Sequence, residues 1–380
     1  MKKLKKVLMV AGGTGGHVFP GLAVAQELRA QGVEVEWLGT PTGIEAQRIP
    51  EAGIQITFIK LKGVRGMGWR RFLRAPLDIC NAILTSMRVL RRLKPDVVCG
   101  MGGFAAGPAG VACYLARVPL VIHEQNAIAG FTNRVLARWA KRILVGLPQA
   151  QHKHALRSGC LIGNPLRAEF FQVPVPAERF TARVGALRIL VLGGSQGAVA
   201  INKLIPQALQ MLDKKQLIGQ NFEVWHQVGP KNLAAAQEIY QQHAVSAKVV
   251  PFIEDVAAAY AWADVVICRS GALTVSELAA VGVPALLIPF PAAIDDHQTY
   301  NARYLADKGA AELLPQASLT AEYLANRIQE LGADRNRLLV MAEAGRAASY
   351  PHATEYCIKE LENVCAPGQM HLNYRHRHSR

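Results

Sequence analysis

The stretch from Val7 to Pro20, VLMVAGGTGGHVFP, narrows the folding choices more than any other in the chain. Val7 to Ala11 is a short apolar run of the length expected for a strand buried on both faces. Gly12, Gly13, Gly15 and Gly16 then permit a tight turn and a close approach to the backbone. Leu22, Val24, Ala25 and Leu28 follow at helical spacing, and Pro20 suits a first helical turn. Strand, glycine turn and helix N-terminus together gather unpaired N–H groups and the positive end of a helix dipole, an arrangement suited to an anion. His17 stands at the lip of that turn. An ordinary α/β turn with an incidental histidine fits the same residues. Val18 occupies the place of the third glycine in a dinucleotide fingerprint, and no Gly-Lys-Ser/Thr follows, so neither NAD nor ATP is indicated.

At 380 residues the chain is expected to form two domains, each with its own core. It is 51% hydrophobic and 19% charged, which excludes disorder as a global description. The cysteines, at 80, 99, 113, 160, 268, 357 and 365, form no C-x-x-C and read as reduced residues of a cytoplasmic protein. Lysines before the first apolar run imitate a secretory signal, but that run ends in glycines after Ala11 and is too short for one. No window reaches the ~20 uninterrupted apolar residues of a spanning helix; Val281–Ile294 comes nearest and is broken by Pro284, Pro289 and Pro291. The net charge of +15 lies entirely within residues 1–163, and the remainder is neutral. Such a split points to a polyanionic partner for the N-terminal half, either nucleic acid or an anionic membrane surface.

Apolar runs bounded by turn residues recur at Val35–Leu38, Ile56–Ile59, Val97–Cys99, Leu120–Ile122 and Ile143–Val145, with helical patterns between several of them. That alternation predicts parallel βα units. A second glycine segment, Gly100–Gly110, and the stretch Ile122–Arg134 both follow strand ends, where open α/β sheets place ligands. Gly163-Asn164-Pro165-Leu166-Arg167 breaks the pattern and marks the expected linker. The plan then restarts with Leu187–Leu192 and Gly193-Gly194-Ser195-Gln196-Gly197, as if the chain held two related halves facing each other. Glu223–Gln227, Lys248–Val250, Val265–Cys268 and Ala285–Ile288 are the later strand candidates. The expected division is 1–163, 164–365 and a flexible basic tail, 366–380.

In Cys268–Glu277, CRSGALTVSE, a strand ends, Gly271 turns, and a helix opens with unpaired N–H groups near Ala272 to Thr274 that fit a diphosphate. Glu277, one turn in, offers acceptors for a ribose hydroxyl pair; an acid that merely complements the helix dipole fits equally. Asp295-Asp296-His297-Gln298 resembles a metal cluster, but adjacent carboxylates diverge and the chain has no D-x-D, so no metal is expected and Gln298 reads as a polar contact. From Lys60 to Lys94, apolar residues including Trp69, Phe72, Leu77, Cys80, Leu84 and Leu90 recur at helical spacing among arginines at 65, 70, 71, 74, 88, 91 and 92. Most of that stripe is expected in the core, with Trp69 and Phe72 exposed at an interfacial membrane contact.

GGTGGHVFPGLAVA, GMGGFAAGP, HEQNAIAGFTNR, GNPLR, GGSQGA, CRSGALTVSE and PFPAAIDDHQTYNA, in this order, resemble the MurG family, and the resemblance spans residues 5–365. It implies a GT-B glycosyltransferase fold: α/β, two Rossmann-like domains and a deep interdomain cleft. It implies transfer of N-acetylglucosamine from UDP-N-acetylglucosamine to the C4 hydroxyl of lipid I, with inversion, without cofactor, at the cytoplasmic face of the inner membrane. It further implies that Ile253 meets uracil, Ala272, Leu273, Thr274, Val275 and Ser276 the diphosphate, Glu277 the ribose and Gln298 the sugar. Ser195, Arg167 and Arg269 lie on motifs that touch the nucleotide. Thr14, Gly15, Gly16 and Asn126 close over the donor, with His17 the candidate base and Glu124 its competitor. Phe104 stands where some members carry Tyr, so no hydroxyl acts there. Two rivals need different features: a UDP-N-acetylglucosamine 2-epimerase has no use for a lipid-facing basic surface, and a nucleic-acid-binding protein none for two glycine-lined halves.

Overall fold

All the early apolar runs become neighbours in one parallel sheet. In the computed structural model, which describes residues 3–61, 69–152, 156, 158–181, 183–194, 197–214 and 222–366, β1 (Lys6–Ala11) is followed by α1 (Gly15–Ala30), β2 (Glu34–Gly39), α2 (Glu45–Glu51) and β3 (Gln55–Phe58). Then come α3 (Trp69–Leu93), β4 (Val97–Gly102), α4 (Ala106–Ala116), β5 (Leu120–Glu124), α5 (Phe131–Leu136), β6 (Arg142–Val145) and β7 (Cys160–Leu161). The strand order is β3-β2-β1-β4-β5-β6-β7. The chain therefore reverses direction across the sheet between β1 and β4, and a ligand crevice is expected beyond the carboxyl ends of those strands. Residues 7–11 are fully buried because helices cover both faces, with Val7 and Met9 in one apolar cluster and Leu8 and Val10 in another. Trp37 donates its indole N–H to Ala11 O at 2.9 Å and lies so close to Gly21 that a Cβ there would meet its ring at 2.7 Å. A glycine after Pro20 is thus what lets α1 lie flat on the sheet.

The second unit repeats the plan. Two short helices, α6 (Glu169–Gln172) and α7 (Pro176–Thr181), lead to β8 (Leu187–Leu192), α8 (Val199–Lys214), β9 (Phe222–Gln227), α9 (Leu233–Gln242), β10 (Lys248–Val250) and α10 (Val256–Trp262). The chain continues through β11 (Val265–Cys268), α11 (Ala272–Val281), β12 (Ala285–Leu287), α12 (His297–Ala306), β13 (Ala311–Leu313), α13 (Ala321–Ala333) and α14 (Arg335–Ala347). This sheet is also parallel, in the order β10-β9-β8-β11-β12-β13, with its reversal between β8 and β11.

The units divide as Met1–Arg167 with Pro351–Arg380, and Ala168–Tyr350. These bounds depart from the expected 1–163 and 164–365 for two reasons. Asn164 is buried in the first unit, donating to Gln125 O at 3.1 Å, so the GNPLR stretch ends that unit instead of linking. The last helix, α15 (Ala353–Cys365), buries Cys357, Ile358 and Leu361 with β1 and α1, and Arg142 of β6 pairs with its Glu360 at 3.0 Å. The tail beyond Ala366 lies outside the described residues.

The α3 stripe is a correction. Ala82, Ser86, Val89, Leu90 and Leu93 are its buried residues, whereas Leu77, Cys80 and Leu84, expected in the core, are exposed, Leu77 by 67%. Pro76 to Asn81 are exposed all round, so the helix finds its packing partners only from Ala82 onward. α3 packs beside α4, and small Ala82 and Ser86 are among its buried residues. Arg65 lies outside the described residues, as do the side chains of Trp69, Arg70, Arg71, Phe72 and Arg74.

Candidate active site

The glycine turn after β1 is held from beneath. Gly13 adopts a φ of +99°, and its N–H donates to Glu45 Oε2 at 3.0 Å. Thr14 occupies the N-cap of α1 in extended conformation without capping it; its Oγ1 instead lies 3.2 Å from His17 Nδ1. Gly15 and Gly16 open the helix, with Gly16 exposed and His17 half-buried. The second glycine segment closes on the first. A Cβ on Gly102 would meet the His17 ring at 2.5 Å, and one on Gly103 would meet Gly12 O at 2.0 Å; both residues have positive φ. Only glycine satisfies both demands at these two positions.

Glu124, at the end of β5, is buried, and both of its oxygens are engaged. Oε1 accepts from Asn126 N–H and Nδ2 at 3.1 and 3.2 Å; Oε2 accepts from Gly130 N–H and Asn133 Nδ2, each at 2.9 Å. Its geometry is that of a loop organiser that aims Asn126. Beside it, buried His123 faces Gly163 O at 2.9 Å through Nε2 and Gln125 Nε2 at 3.1 Å through Nδ1. Gln125 Nε2 can only donate, so His123 carries its proton on Nε2. Burial pushes its pKa down to about 4; the Gly163 bond and Glu124 oppose that, and His17 adds to it. His123, Gln125, Asn133 and Asn164 thus form a buried polar layer beneath the loop. No short motif marks such a layer in advance, beyond the clustering of polar residues at a strand end.

In the second unit, α11 opens at Gly271 with no side-chain cap and no acid in its first turn. Its N-terminal N–H groups are therefore suited to an anion. Ala272, Leu273 and Val275 are buried, Thr274 and Ser276 half-buried, and Ser276 Oγ donates back to Ala272 O at 2.9 Å. Glu277 Oε2 accepts from Tyr260 OH at 3.2 Å, so buried Tyr260, which sequence alone did not single out, orients that carboxylate. Gln298 is brought beside the start of α11: Ser270 Oγ donates to its carbonyl oxygen at 2.8 Å, and its own Oε1 accepts from Phe290 N–H at 2.9 Å. Gln227 donates to Gly194 O and to Pro251 O at 2.9 and 3.2 Å, joining the glycine turn after β8 to the loop that carries Ile253. Ile253 itself is buried.

Arg269 is otherwise occupied. Its guanidinium donates to Ile288 O, Pro289 O and Gln316 Oε1 at 3.1, 3.0 and 2.7 Å, and burial lowers its pKa. That geometry ties strand ends together. Arg167 is half-buried at the end of the first unit, and Ser195 lies outside the described residues. Asp296 Oδ1 accepts from Thr299 Oγ1 at 2.7 Å as part of a helix start.

Two domain models match the chain: the glycosyltransferase family 28 N-terminal domain over residues 7–145 and the family 28 C-terminal domain over residues 188–355. A protein of Cellvibrio japonicus is 50% identical over 364 residues, which is 96% of this chain and 98% of that one. It is named UDP-N-acetylglucosamine--N-acetylmuramyl-(pentapeptide) pyrophosphoryl-undecaprenol N-acetylglucosamine transferase. A protein of the same name from Aeromonas hydrophila is 49% identical over 366 residues, 96% of this chain and 98% of its own. Among solved structures, MurG of Acinetobacter baumannii superposes with a TM-score of 0.81 at 40% identity, covering 94% of this chain and 99% of its own. A UDP-GlcNAc 2-epimerase of Neisseria meningitidis has a TM-score of 0.67 at 14% identity over 94% of this chain and all of its own, a likeness of fold alone.

Proposed function

The chain belongs to the MurG family within glycosyltransferase family 28, and we propose on that ground that it moves N-acetylglucosamine from UDP-N-acetylglucosamine to the C4 hydroxyl of the muramoyl sugar of lipid I, with inversion. The observation that carries this reading is near-half identity, over almost the whole of both chains, to transferases named for that reaction. The donor belongs to the second unit. The uncapped start of α11 takes the diphosphate, Glu277 aimed by Tyr260 takes the ribose, Gln298 takes the sugar, and the Ile253 loop takes uracil. Charge that develops on the departing UDP is stabilised by the fixed N–H dipoles of Ala272 to Thr274.

His17 is the base in this reading. Proton acceptance at Nε2 requires the tautomer with its proton on Nδ1, in which Nδ1–H donates to Thr14 Oγ1. The four hydrogen bonds that Glu124 already accepts support a positioning role for that carboxylate over proton transfer. The acceptor is lipid-linked, and the first unit has what an anionic membrane surface would meet. Leu77, Leu84, Tyr114, Leu115 and Phe131 are exposed, in the half of the chain that holds all the excess positive charge. Among the described residues no helix is long and apolar enough to cross a membrane. UDP release with and without a lipid I analogue tests the assignment: release should depend on the acceptor, and equal release without it would favour epimerase chemistry.

A further inference from the structure

Glu45 is the first residue of α2, yet its side chain runs back under the glycine turn and is fully buried. Oε1 accepts from Thr40 N–H at 2.8 Å and from Thr40 Oγ1 at 2.6 Å, while Oε2 accepts from Gly13 N–H. Glycines wall it in. A Cβ would come within 2.6 Å of Oε1 from Gly12, 2.7 Å of Cγ from Gly39 and 2.1 Å of Oε2 from Gly43. A carboxylate withdrawn this far from water persists only when donors converge on it. What those donors belong to is the turn: Gly13, the residue held, directly precedes Thr14, which contacts His17. Gly12 O in turn backs Gly103, next to the glycine that faces the His17 ring.

The second unit holds its equivalent turn without charge. Gln227, at the end of the strand next to β8, accepts from Gly194 N–H at 3.1 Å and donates to Gly194 O at 2.9 Å. An amide can serve that site because it needs one acceptor and one donor. Glu45 meets three donors, and only a group that accepts on both oxygens satisfies them.

We propose that Glu45 is a positioning residue, fixing residues 12–14 and through them the orientation of His17; the proposal rests on the reading of His17 as base. Glu45→Gln keeps the shape but turns an amide N–H toward Gly13 N–H or toward the Thr40 donors. A misplaced base costs on the order of tenfold to hundredfold in rate. In steady-state transfer from UDP-N-acetylglucosamine to a lipid I analogue, Glu45→Gln is expected to lower kcat by that factor. Calorimetric affinity for UDP, whose proposed contacts lie in the second unit, should stay at the wild-type value. The variant carrying both His17→Ala and Glu45→Gln should be no slower than His17→Ala alone. Gly43→Ala, whose methyl displaces Oε2, is a second route to the same outcome and carries the test if Glu45→Gln does not fold. Wild-type kcat in either variant, or losses that multiply in the His17→Ala background, would overturn the proposal. Wild-type turnover in His17→Ala alone would instead remove the base reading, and the proposal with it.

Discussion

In the proposed reaction two side chains are candidates for the proton of the acceptor hydroxyl, and their surroundings differ. Glu124 is buried among four donors, whereas His17 is half-buried with Thr14 beside Nδ1. His17→Ala is therefore expected to lower kcat by roughly two to four orders of magnitude while leaving donor affinity unchanged. Turnover near wild type would return the role to Glu124 or water. At the donor end, Glu277→Gln should weaken UDP-N-acetylglucosamine binding more than it slows transfer, because a charge-assisted ribose contact is lost. Calorimetry on the free protein reads this directly; unchanged affinity would leave Glu277 as a dipole-complementing acid. At this scale the sequence was only partly legible. His17, Glu277 and Gln298 stood out because chemistry-bearing residues sat on glycine turns or helix starts. Glu45, His123, Gln227 and Tyr260 did not, since their importance lies in contacts between segments far apart in sequence.

At the level of elements, long apolar runs told the truth. Val7–Ala11 and Leu187–Leu192 became the two strands at which the sheets reverse, because continuous Val and Leu pattern suits burial on both faces. β7 and β13 escaped notice, being only Cys160–Leu161 and Ala311–Leu313, too short for any period to register. Helical spacing misled on α3, since a stripe of apolar residues reveals a face but not whether anything covers it. The uncovered part gives a prediction. Replacing Leu77 and Leu84 by serine should reduce co-sedimentation with vesicles containing anionic lipid and leave donor affinity intact. Wild-type sedimentation would place the docking face elsewhere. Raised salt should weaken the wild-type interaction without abolishing it, because the apolar part is not screened.

At the scale of the molecule, two buried histidines make stability depend on pH. His123 and His226 have pKa values pushed down by burial to about 4 and about 3, below the ordinary value of 6.5. Between those values and 6.5 the unfolded chain binds more protons than the native one, so stability falls as pH drops through that window. By pH 5 each group is expected to cost on the order of 2 kcal/mol relative to neutral pH. Thermal midpoints between pH 7 and 5 should fall, and His226→Gln, which cannot titrate, should flatten that fall; an unchanged slope would contradict the assignment. The whole excess of +15 lies in residues 1–163, within the first unit, whereas the return of α15 to that unit was not legible, since nothing in a terminal helix tells which sheet it covers. The central claim is acceptor-dependent joining of the sugar to lipid I, and the product itself tests it most directly. With isotopically labelled UDP-N-acetylglucosamine and a lipid I analogue, mass and NMR spectra should show one N-acetylglucosamine added at the muramoyl C4 oxygen with an inverted anomeric centre. An acceptor of unchanged mass, or label recovered as a free or C2-epimerised sugar, would contradict it.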